Sequence, residues 1–409
     1  MLTRNGKLVM ACGVGLYLAA WGFGTAVMYP VAVGLVLAPG LAALWVRTMR
    51  RPLRLRRTVQ RGDLIEGVDL RIGIEVRTGG GPLPARAVLI DQVDGMHPLE
   101  TPLYRRGAVA RGGHLIHAAP RGRYRLSSAL VRISDPFWLA ETQVPVERAD
   151  VIIVYPQVVP LEGLFTDAGS AGGDVNRALL HRSSGYDLHS IRDFQQGESL
   201  RRVHWPSTAK RRRLMVKELH DAPRDEACVL LDGDSTAEVG DPGQSSFDVA
   251  VRSAASVLAR LVDAGQRCSL IVHGETRQRV RVGSAGTEWA DALGVLAVAR
   301  ARAPRPLSAF LGESMSGAAD PIDAARVFIV TAGLTPALAE RLMTLRSAQR
   351  DVAVVWIDAA TFAGGRTPSG VDGAALRLAR SGFALTRVRA GDDLRVALSA
   401  PALRAVANA

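Results

Sequence analysis

The chain has 409 residues, of which 48% are hydrophobic, and it carries 51 Lys and Arg against 39 Asp and Glu. This length and composition are typical of a folded protein with more than one domain, and they exclude a chain that is disordered throughout. The net charge of +12 suits an anionic membrane surface, a nucleic acid or an acidic partner. The three cysteines lack paired ligand spacing, so no disulfide framework or zinc site is expected, and Cys228 and Cys268 are interpreted as small buried side chains.

Two membrane-spanning helices are predicted first along the chain. Residues 8–46 contain no charged side chain, and this run is nearly twice the ~20 residues that one spanning helix needs. Gly24 and Pro30 indicate a turn near its midpoint, because glycine and proline interrupt helices. We therefore expect a transmembrane hairpin with helices near 8–22 and 27–46.

Positive side chains flank the apolar run on both sides. Arg4 and Lys7 precede it, and a cluster of arginines follows it within 47–57. The positive-inside rule then places both flanks, and the soluble chain after them, in the cytoplasm at the inner membrane. A cleaved signal peptide is the alternative for the first run and would put the soluble domains outside. The second apolar run favours the hairpin, and residues 1–57 are assigned to this anchor and its basic flank.

A β-rich module is predicted for residues 58–160. Short runs of alternating apolar and polar residues, VDLRIGIEVRT, ARAVLIDQV and YRLSSALVRIS, are separated by glycine-rich and proline-rich turns. This pattern is typical of a small antiparallel β-sandwich. Its histidines, among them His114, do not recur at ligand or catalytic spacing, so we assign the module no chemistry and expect it to act as an adaptor.

The segment 161–225 shows neither helix nor strand periodicity between 183 and 220. It resembles the signature of the domain of unknown function 58 (DUF58) family, in which an Asp, an Arg-acidic pair, a Gly-acidic pair, an Arg and a Trp recur in order. The matching residues here are Asp187, Arg192, Asp193, Gly197, Glu198, Arg202 and Trp205. RGRY at 121–124, SDPFWL at 134–139 and VIIVYPQVVPL at 151–161 are similar to that family as well.

The resemblance implies a bacterial membrane protein with a two-span anchor, a β-rich module and a von Willebrand factor A-like domain. It also implies a partner, since members are often encoded beside a MoxR-type AAA+ ATPase. From the residues themselves, the basic segment 201–217 could bind phosphates, and Trp205 could stack on a base. We favour a structural interpretation, in which the acidic and basic residues form an ion-pair network around Trp205.

An α/β domain is predicted for residues 226–409, because apolar strand-like runs alternate with helical patterns. Such alternation is typical of a mostly parallel, doubly wound sheet. Ligands bind such sheets beyond the carboxyl ends of the strands, which directs attention to Asp232, Asp234 and Thr236 after the first strand. Their oxygen atoms are ligands that Mg²⁺ prefers.

The von Willebrand resemblance implies a metal site with the pattern D-x-S-x-S at this position. The chain has D-G-D-S-T instead, so Asp234 replaces the first serine. After a later strand the sequence reads Thr331, Ala332, Gly333, with alanine where an aspartate is expected. We therefore interpret the site as degenerate, and the alternative is an ordinary strand end with a solvated Asp and helix-capping hydroxyls.

The function predicted from these features is that of a membrane-anchored, non-enzymatic scaffold that works with a MoxR-type ATPase in the assembly or maturation of other proteins. The sequence has no phosphate-binding loop, nucleophile elbow or H-E-x-x-H motif, and no catalytic residue or cofactor is assigned. One alternative is a Mg²⁺-dependent enzyme at Asp232 and Asp234. The other is binding of nucleic acid or an anionic surface through 201–217.

Overall fold

A computed structural model gives the fold in two compact units, residues 1–157 and 158–409, which are described separately. The described residues are 1–59, 64–78, 86–94, 97–106, 109–146, 148–166, 187–193, 208, 213, 215–220, 225–283, 285–286, 288–315, 322–348, 350–364 and 369–400. For 187–193, 215–220, 225–226 and 369–370 the description covers the backbone alone.

The first unit begins with a pair of apolar helices, α1 (Arg4–Phe23) and α2 (Tyr29–Thr48), joined through a short 3-10 turn at Ala26–Met28. Thr3 caps α1 through its hydroxyl, which accepts a hydrogen bond of 3.1 Å from the Gly6 amide. Both helices are long and apolar enough to cross a membrane. The predicted pair of apolar helices is thus confirmed, with α1 beginning four residues earlier than expected and α2 shifted two residues toward the C-terminus.

The described strands of the β module form one antiparallel sheet that curls. They are β1 (Leu53–Val59), β2 (Leu70–Thr78), β3 (Ala87–Val93), β4 (Leu99–Arg106), β5 (Val109–Ile116), β6 (Gly122–Ser134), β7 (Glu141–Val146) and β8 (Asp150–Val154). Their order is β1-β2-β5-β4-β3-β6-β7, and β8 pairs with β6 beside β7. The antiparallel β-rich prediction is confirmed, although the module begins at Leu53 rather than at 58.

The curl follows from how the two ends of the sheet are joined. The long strand β6 pairs with β3 on one side and with both β7 and β8 on the other, so the strands remain in one sheet rather than two stacked ones. The Arg148 guanidinium donates to the Leu55 carbonyl at 3.1 Å, and Arg57 donates to the Arg148 carbonyl at 3.0 Å. These bonds connect β1 to the β7–β8 turn and bring the first strand to the far edge.

The second unit contains an antiparallel strand pair and an α/β region. The pair is β9 (Asp187–Asp193) and β10 (Met215–His220). The α/β elements are β11 (Asp225–Asp232), α3 (Ser246–Asp263), β12 (Cys268–His273), β13 (Gln278–Val282), α4 (Trp289–Val298), α5 (Leu307–Met315), β14 (Ala324–Thr331), α6 (Pro336–Ser347), β15 (Asp351–Ile357), α7 (Ser369–Arg380), β16 (Ala384–Val388) and α8 (Leu394–Ser399). Their sheet has the order β13-β12-β11-β14-β15-β16, in which only β13 is antiparallel to its neighbour.

Apolar clusters cover both faces of this mixed sheet. Along β11, Val229 and Leu231 pack in the cluster that includes α3, whereas Cys228 and Leu230 pack in the cluster that includes α6. Every second residue of a strand points to the same face, so β11 is buried on both sides. Cys268 belongs to the first cluster and Cys228 to the second, and both cysteines are buried, as expected.

Candidate functional site

The candidate site lies where the chain changes direction across the α/β sheet. From β11 the chain continues to β12 on one side, and β14 to β16 extend on the other. β11 and β14 are parallel neighbours, with Leu231 opposite Val330, so Asp232 and Thr331 end adjacent strands at the same edge. In open α/β sheets this switch point is where ligands bind.

Hydrogen bonds gather the predicted residues at this edge. Thr331 Oγ1 donates to Asp232 Oδ2 at 2.7 Å, and the Asp234 amide donates to Asp232 Oδ1 at 3.2 Å. Asp234 Oδ1 accepts from the Thr236 amide and hydroxyl, both at 2.9 Å. Gly333 lies close by, because a Cβ there would stand 3.6 Å from Asp234 Oδ2 and 3.9 Å from Asp232 Oδ2. The structure thus groups Asp232, Asp234 and Thr236 and adds Thr331.

Asp232 is the electrostatically unusual member of this group. Its burial raises the pKa to about 6, and the nearby Asp234 charge acts in the same direction, while the Thr331 hydrogen bond opposes them. Among the described residues no Arg or Lys forms an ion pair with it. By contrast Asp358, at the end of β15, accepts a 2.5 Å hydrogen bond from Arg387. A carboxylate that is buried at the end of a central strand, and whose pKa is raised in this way, is a candidate for function.

The metal-binding capacity of the site is small. The described residues contain no group of three or more His, Cys, Asp or Glu side chains that could hold a metal. Asp232 and Asp234 supply two carboxylates and Thr236 supplies a hydroxyl, whereas Ala332, where the sequence analysis expected an aspartate, supplies no donor side chain. Mg²⁺ requires near-octahedral oxygen coordination. With this set of donors, several coordination positions of the Mg²⁺ would be filled by water or by an oxygen atom of a bound partner.

The family-signature residues are only partly within the described chain. Asp187, Arg192 and Asp193 lie on β9, where Arg192 pairs with Val216 and Asp193 with Met215 of β10. The remaining signature residues lie outside the described residues: Gly197, Glu198, Arg202 and Trp205. The ion-pair network and the nucleic-acid interpretation of 201–217 therefore stay predictions.

A second polar cluster, which the sequence analysis did not identify, lies inside the β module. Arg57 donates to Asp91 through Nη2 at 2.6 Å and Nε at 3.1 Å, and to Asp150 through Nη1 at 2.7 Å. His114 Nε2 lies 3.3 Å from Asp91 Oδ2, and His114 Nδ1 lies 2.5 Å from the Thr101 hydroxyl. The side chains of Arg57 and Asp91 are 2% and 0% exposed. We call these five residues the polar layer.

The polar layer separates two apolar clusters of the module interior. On β3, Leu89 belongs to one cluster and Val93 to the other, and Asp91 stands between them. Burial alone would raise the pKa of Asp91, but hydrogen bonds from His114 and Arg57 outweigh it and lower that pKa below its ordinary 3.8. Such a hydrogen-bonded ion pair stabilises a defined arrangement. The available sequence signal was a charged residue at an inward position of an alternating strand.

The chain is similar in sequence to a family and to a protein whose functions are not established. Residues 190–361 match the family model described as "Protein of unknown function DUF58". Over 196 residues the chain is 24% identical to "Uncharacterized protein YeaD" of Bacillus subtilis (strain 168), covering 48% of this chain and 47% of that protein. The chain thus spans about half the length of this curated relative.

Solved structures resemble the chain only distantly. Proximal thread matrix protein 1 from the mussel byssus is 14% identical, with a TM-score of 0.23, over 33% of this chain and 38% of that one. Cwp6 from Clostridium difficile is 11% identical, with a TM-score of 0.18, over 83% of this chain and 46% of that one. At these scores neither structure informs on function. The similarity established for this chain is the match of residues 190–361, which contain β11, Asp232 and Thr331, to the DUF58 family.

Proposed function

We propose that this chain is a membrane-anchored, non-enzymatic scaffold. In this proposal α1 and α2 span the inner membrane as a hairpin, and the β module and the α/β domain face the cytoplasm, where they bind partner proteins. The observation that carries the membrane-anchored part of the proposal is the arrangement of side chains on the hairpin, with small residues at the helix contact and large apolar ones outside.

The hairpin is packed in the manner expected in lipid. A Cβ on Gly13 would lie 2.9 Å from Leu35 Cβ and from Val36 Cγ2, so α1 and α2 approach closely at a glycine. On the outer surface, Trp21 is 75% exposed and Leu41 is 64% exposed. Small residues at the contact are typical of helix pairs in membranes. Exposing such apolar area to water costs about 25 cal/mol per Å², a cost that the bilayer removes.

The orientation follows from the charges at the open end of the hairpin. Arg4 and Lys7 at the start of α1 and Arg47 and Arg50 at the end of α2 are exposed. The positive-inside rule assigns this end to the cytoplasm. The close packing of α1 on α2 favours a retained hairpin over a cleaved signal peptide. Arg57, which the sequence analysis counted with this flank, instead belongs to the polar layer of the β module.

The α/β domain offers a docking site for a protein at its switch point. A von Willebrand factor A-like fold is part of this proposal, supported by the strand order and by the sequence D-G-D-S-T at the end of the central strand β11. Asp232 would gain most from a positive group, because its charge is buried beside that of Asp234. A partner could supply a basic side chain, or an oxygen atom that completes the coordination of Mg²⁺.

We further propose that the partner is a MoxR-type AAA+ ATPase. Support comes from the motif resemblance to the DUF58 family, which implies such a neighbour, and residues 190–361 match the model of that same family. The chain would then hold the ATPase at the membrane, close to the proteins whose assembly or maturation it assists.

The test is a binding assay with purified components. Tagged full-length protein in mild detergent is mixed with the MoxR-type ATPase of the same organism in the presence of ATP, of ADP or of neither. We expect nucleotide-dependent retention, which Asp232→Asn reduces and which the exposed control Glu275→Gln leaves unchanged. Absence of retention in every nucleotide state would show the partner assignment to be wrong. Hydrolytic activity lost with Asp232, or salt-sensitive binding of DNA or RNA, would support the alternatives instead.

A further inference from the structure

We propose that the loop Asp135–Ala140 is a second membrane contact, in which Phe137 and Trp138 enter the interfacial region of the bilayer beside the hairpin. This inference rests on the proposed membrane anchor. Phe137 is 79% exposed and Trp138 is 48% exposed. Exposing two neighbouring aromatic side chains to water is unfavourable. The loop lies beside the start of the proposed membrane helix α1, where the two side chains would contact lipid instead of water.

The loop is held against the first turn of α1. The Thr3 amide donates to the Leu139 carbonyl at 3.0 Å, and the Thr3 hydroxyl donates to the Trp138 carbonyl. Leu2 forms an antiparallel bridge with Ala140. At Gly6 the approach is so close that a Cβ would stand 2.0 Å from the Leu139 carbonyl oxygen. The loop therefore lies at the level where α1 begins.

That level is where the membrane surface would be. The uncharged run starts at Leu8, two residues after Gly6, which corresponds to about 3 Å along a helix axis. Trp and Tyr side chains concentrate at the boundary between hydrocarbon and headgroups, where Trp138 would lie beside the apolar ring of Phe137. The exposed cations Arg4 and Lys7 of the same turn suit anionic headgroups.

The loop conformation is fixed by a buried carboxylate rather than by the aromatic rings. Asp135, which is 2% exposed, accepts hydrogen bonds from the amides of Phe137 at 2.8 Å, Leu139 at 2.7 Å and Ala140 at 2.6 Å. Trp138 adopts a left-handed conformation with φ of 58°, which is uncommon for a bulky residue. The turn thus holds Phe137 exposed and Trp138 half exposed, with the Arg86 guanidinium 5.5 Å from the centre of the Trp138 ring. In the proposed orientation both rings face the bilayer interface.

The experiment places an environment-sensitive fluorophore on the loop of the full-length protein. Pro136→Cys, at an exposed position, is labelled in a Cys12→Ser background, where Cys228 and Cys268 are buried. The protein is reconstituted into vesicles of phosphatidylcholine and phosphatidylglycerol that carry quenchers at the headgroup or deep in the acyl chains. We expect quenching by the headgroup quencher and a blue-shifted emission.

Two further variants make the result decisive. The double variant Phe137→Ser, Trp138→Asn should abolish quenching at position 136 without lowering the melting temperature, since Asn tolerates a left-handed backbone. The label on Leu18→Cys reports the anchor itself and should respond to the deep quencher. Quenching at 18 without quenching at 136 would overturn this inference and leave the anchor intact. Failure at both positions would refute the anchor, and shielding of 136 only after a protein partner is added would assign the aromatic pair to that partner.

Discussion

Thr331 donates a 2.7 Å hydrogen bond to Asp232, and the two residues lie 99 positions apart at the ends of neighbouring parallel strands. This bond stabilises the ionised form of Asp232, but burial outweighs it and the pKa stands at about 6. Because the ordinary value is 3.8, the folded state binds a proton more tightly than the unfolded state does. The contribution of this residue to stability is therefore greatest at low pH and is lost as the pH rises through about 6.

Asp232→Asn should stabilise the α/β domain at pH 8. The variant removes a buried charge, and a shift from 3.8 to about 6 corresponds to about 3 kcal/mol at about 1.4 kcal/mol per pH unit. The gain should shrink toward zero near pH 4, where the wild-type carboxyl is protonated in the folded state. Thermal unfolding of both proteins at the two pH values, in EDTA, measures this difference.

Two controls separate this effect from other causes. The exposed Asp263, replaced by Asn, should leave the pH dependence unchanged. Addition of Mg²⁺ at pH 8 tests cation binding, because a rise in melting temperature in wild type and not in Asp232→Asn would identify a cation site. A variant that is destabilised equally at both pH values would contradict the electrostatic explanation.

The polar layer predicts strong coupling between Arg57 and Asp91. Replacing Arg57 by Met leaves the Asp91 carboxylate buried without its main partner and should cost about 3–5 kcal/mol. Replacing both residues, as Arg57→Met with Asp91→Leu, should restore a large part of the lost stability, since the apolar pair removes both charges of the buried Arg57–Asp91 ion pair. Arg54→Met, at an exposed position of the same strand, is the control. Additive losses in the double variant would show that the two residues do not act as a pair.

The same pair predicts acid sensitivity of the β module. The pKa of Asp91 is lowered in the folded state, so its stabilising contribution is complete above the ordinary 3.8 and is lost as the pH falls below that value. The protection of the β3 amides against hydrogen exchange, measured relative to the intrinsic exchange rate at each pH, should therefore fall below about pH 4 in wild type. In Asp91→Asn this protection should be lower at neutral pH and should depend less on pH in the acid range. An unchanged acid dependence in that variant would assign the effect to other carboxylates.

The sequence predicted the elements whose patterns are local. An uncharged run identified the two apolar helices, alternation identified the strands of the β module, and apolar strands alternating with helical patterns identified the α/β region. The single curled sheet was not predictable in this way. It depends on β6 pairing with three strands and on Arg148 bonding to Leu55, contacts between residues far apart in the chain.

For the candidate site, the sequence predicted which residues take part but not how they are arranged in space. Asp232, Asp234 and Thr236 were found because they follow a strand directly. That Thr331 bonds to Asp232 depends on β14 being the neighbour of β11, an arrangement that no local pattern specifies. Arg57 was assigned to the basic membrane flank because it follows other arginines, whereas its inward position on β1 buries it beside Asp91.

Membrane topology can be tested with two single cysteines in a Cys12→Ser background. Val27→Cys lies at the tip of the hairpin, where the native side chain is 87% exposed, and Glu275→Cys is exposed on the α/β domain. In intact cells with a permeabilised outer membrane, an impermeant maleimide should label position 27 and not position 275. Position 275 should react after lysis. Labelling of 275 in intact cells would place the soluble domains outside and support the signal-peptide alternative.

The helix contact at Gly13 predicts that two neighbouring glycines differ in their tolerance of substitution. Gly13→Val would place a side chain against Leu35 and Val36, whereas nothing lies within 4 Å of a Cβ at Gly15. We therefore expect Gly13→Val to separate the helices and Gly15→Val to leave them packed. The readout is crosslinking of Tyr17→Cys to Tyr29→Cys by a short flexible bismaleimide in Cys12→Ser membranes, since the centroids of the two native rings are 5.2 Å apart. The yield should fall only with Gly13→Val, and an equal fall in both variants would mean that the glycines act through helix propensity rather than through the contact of α1 with α2.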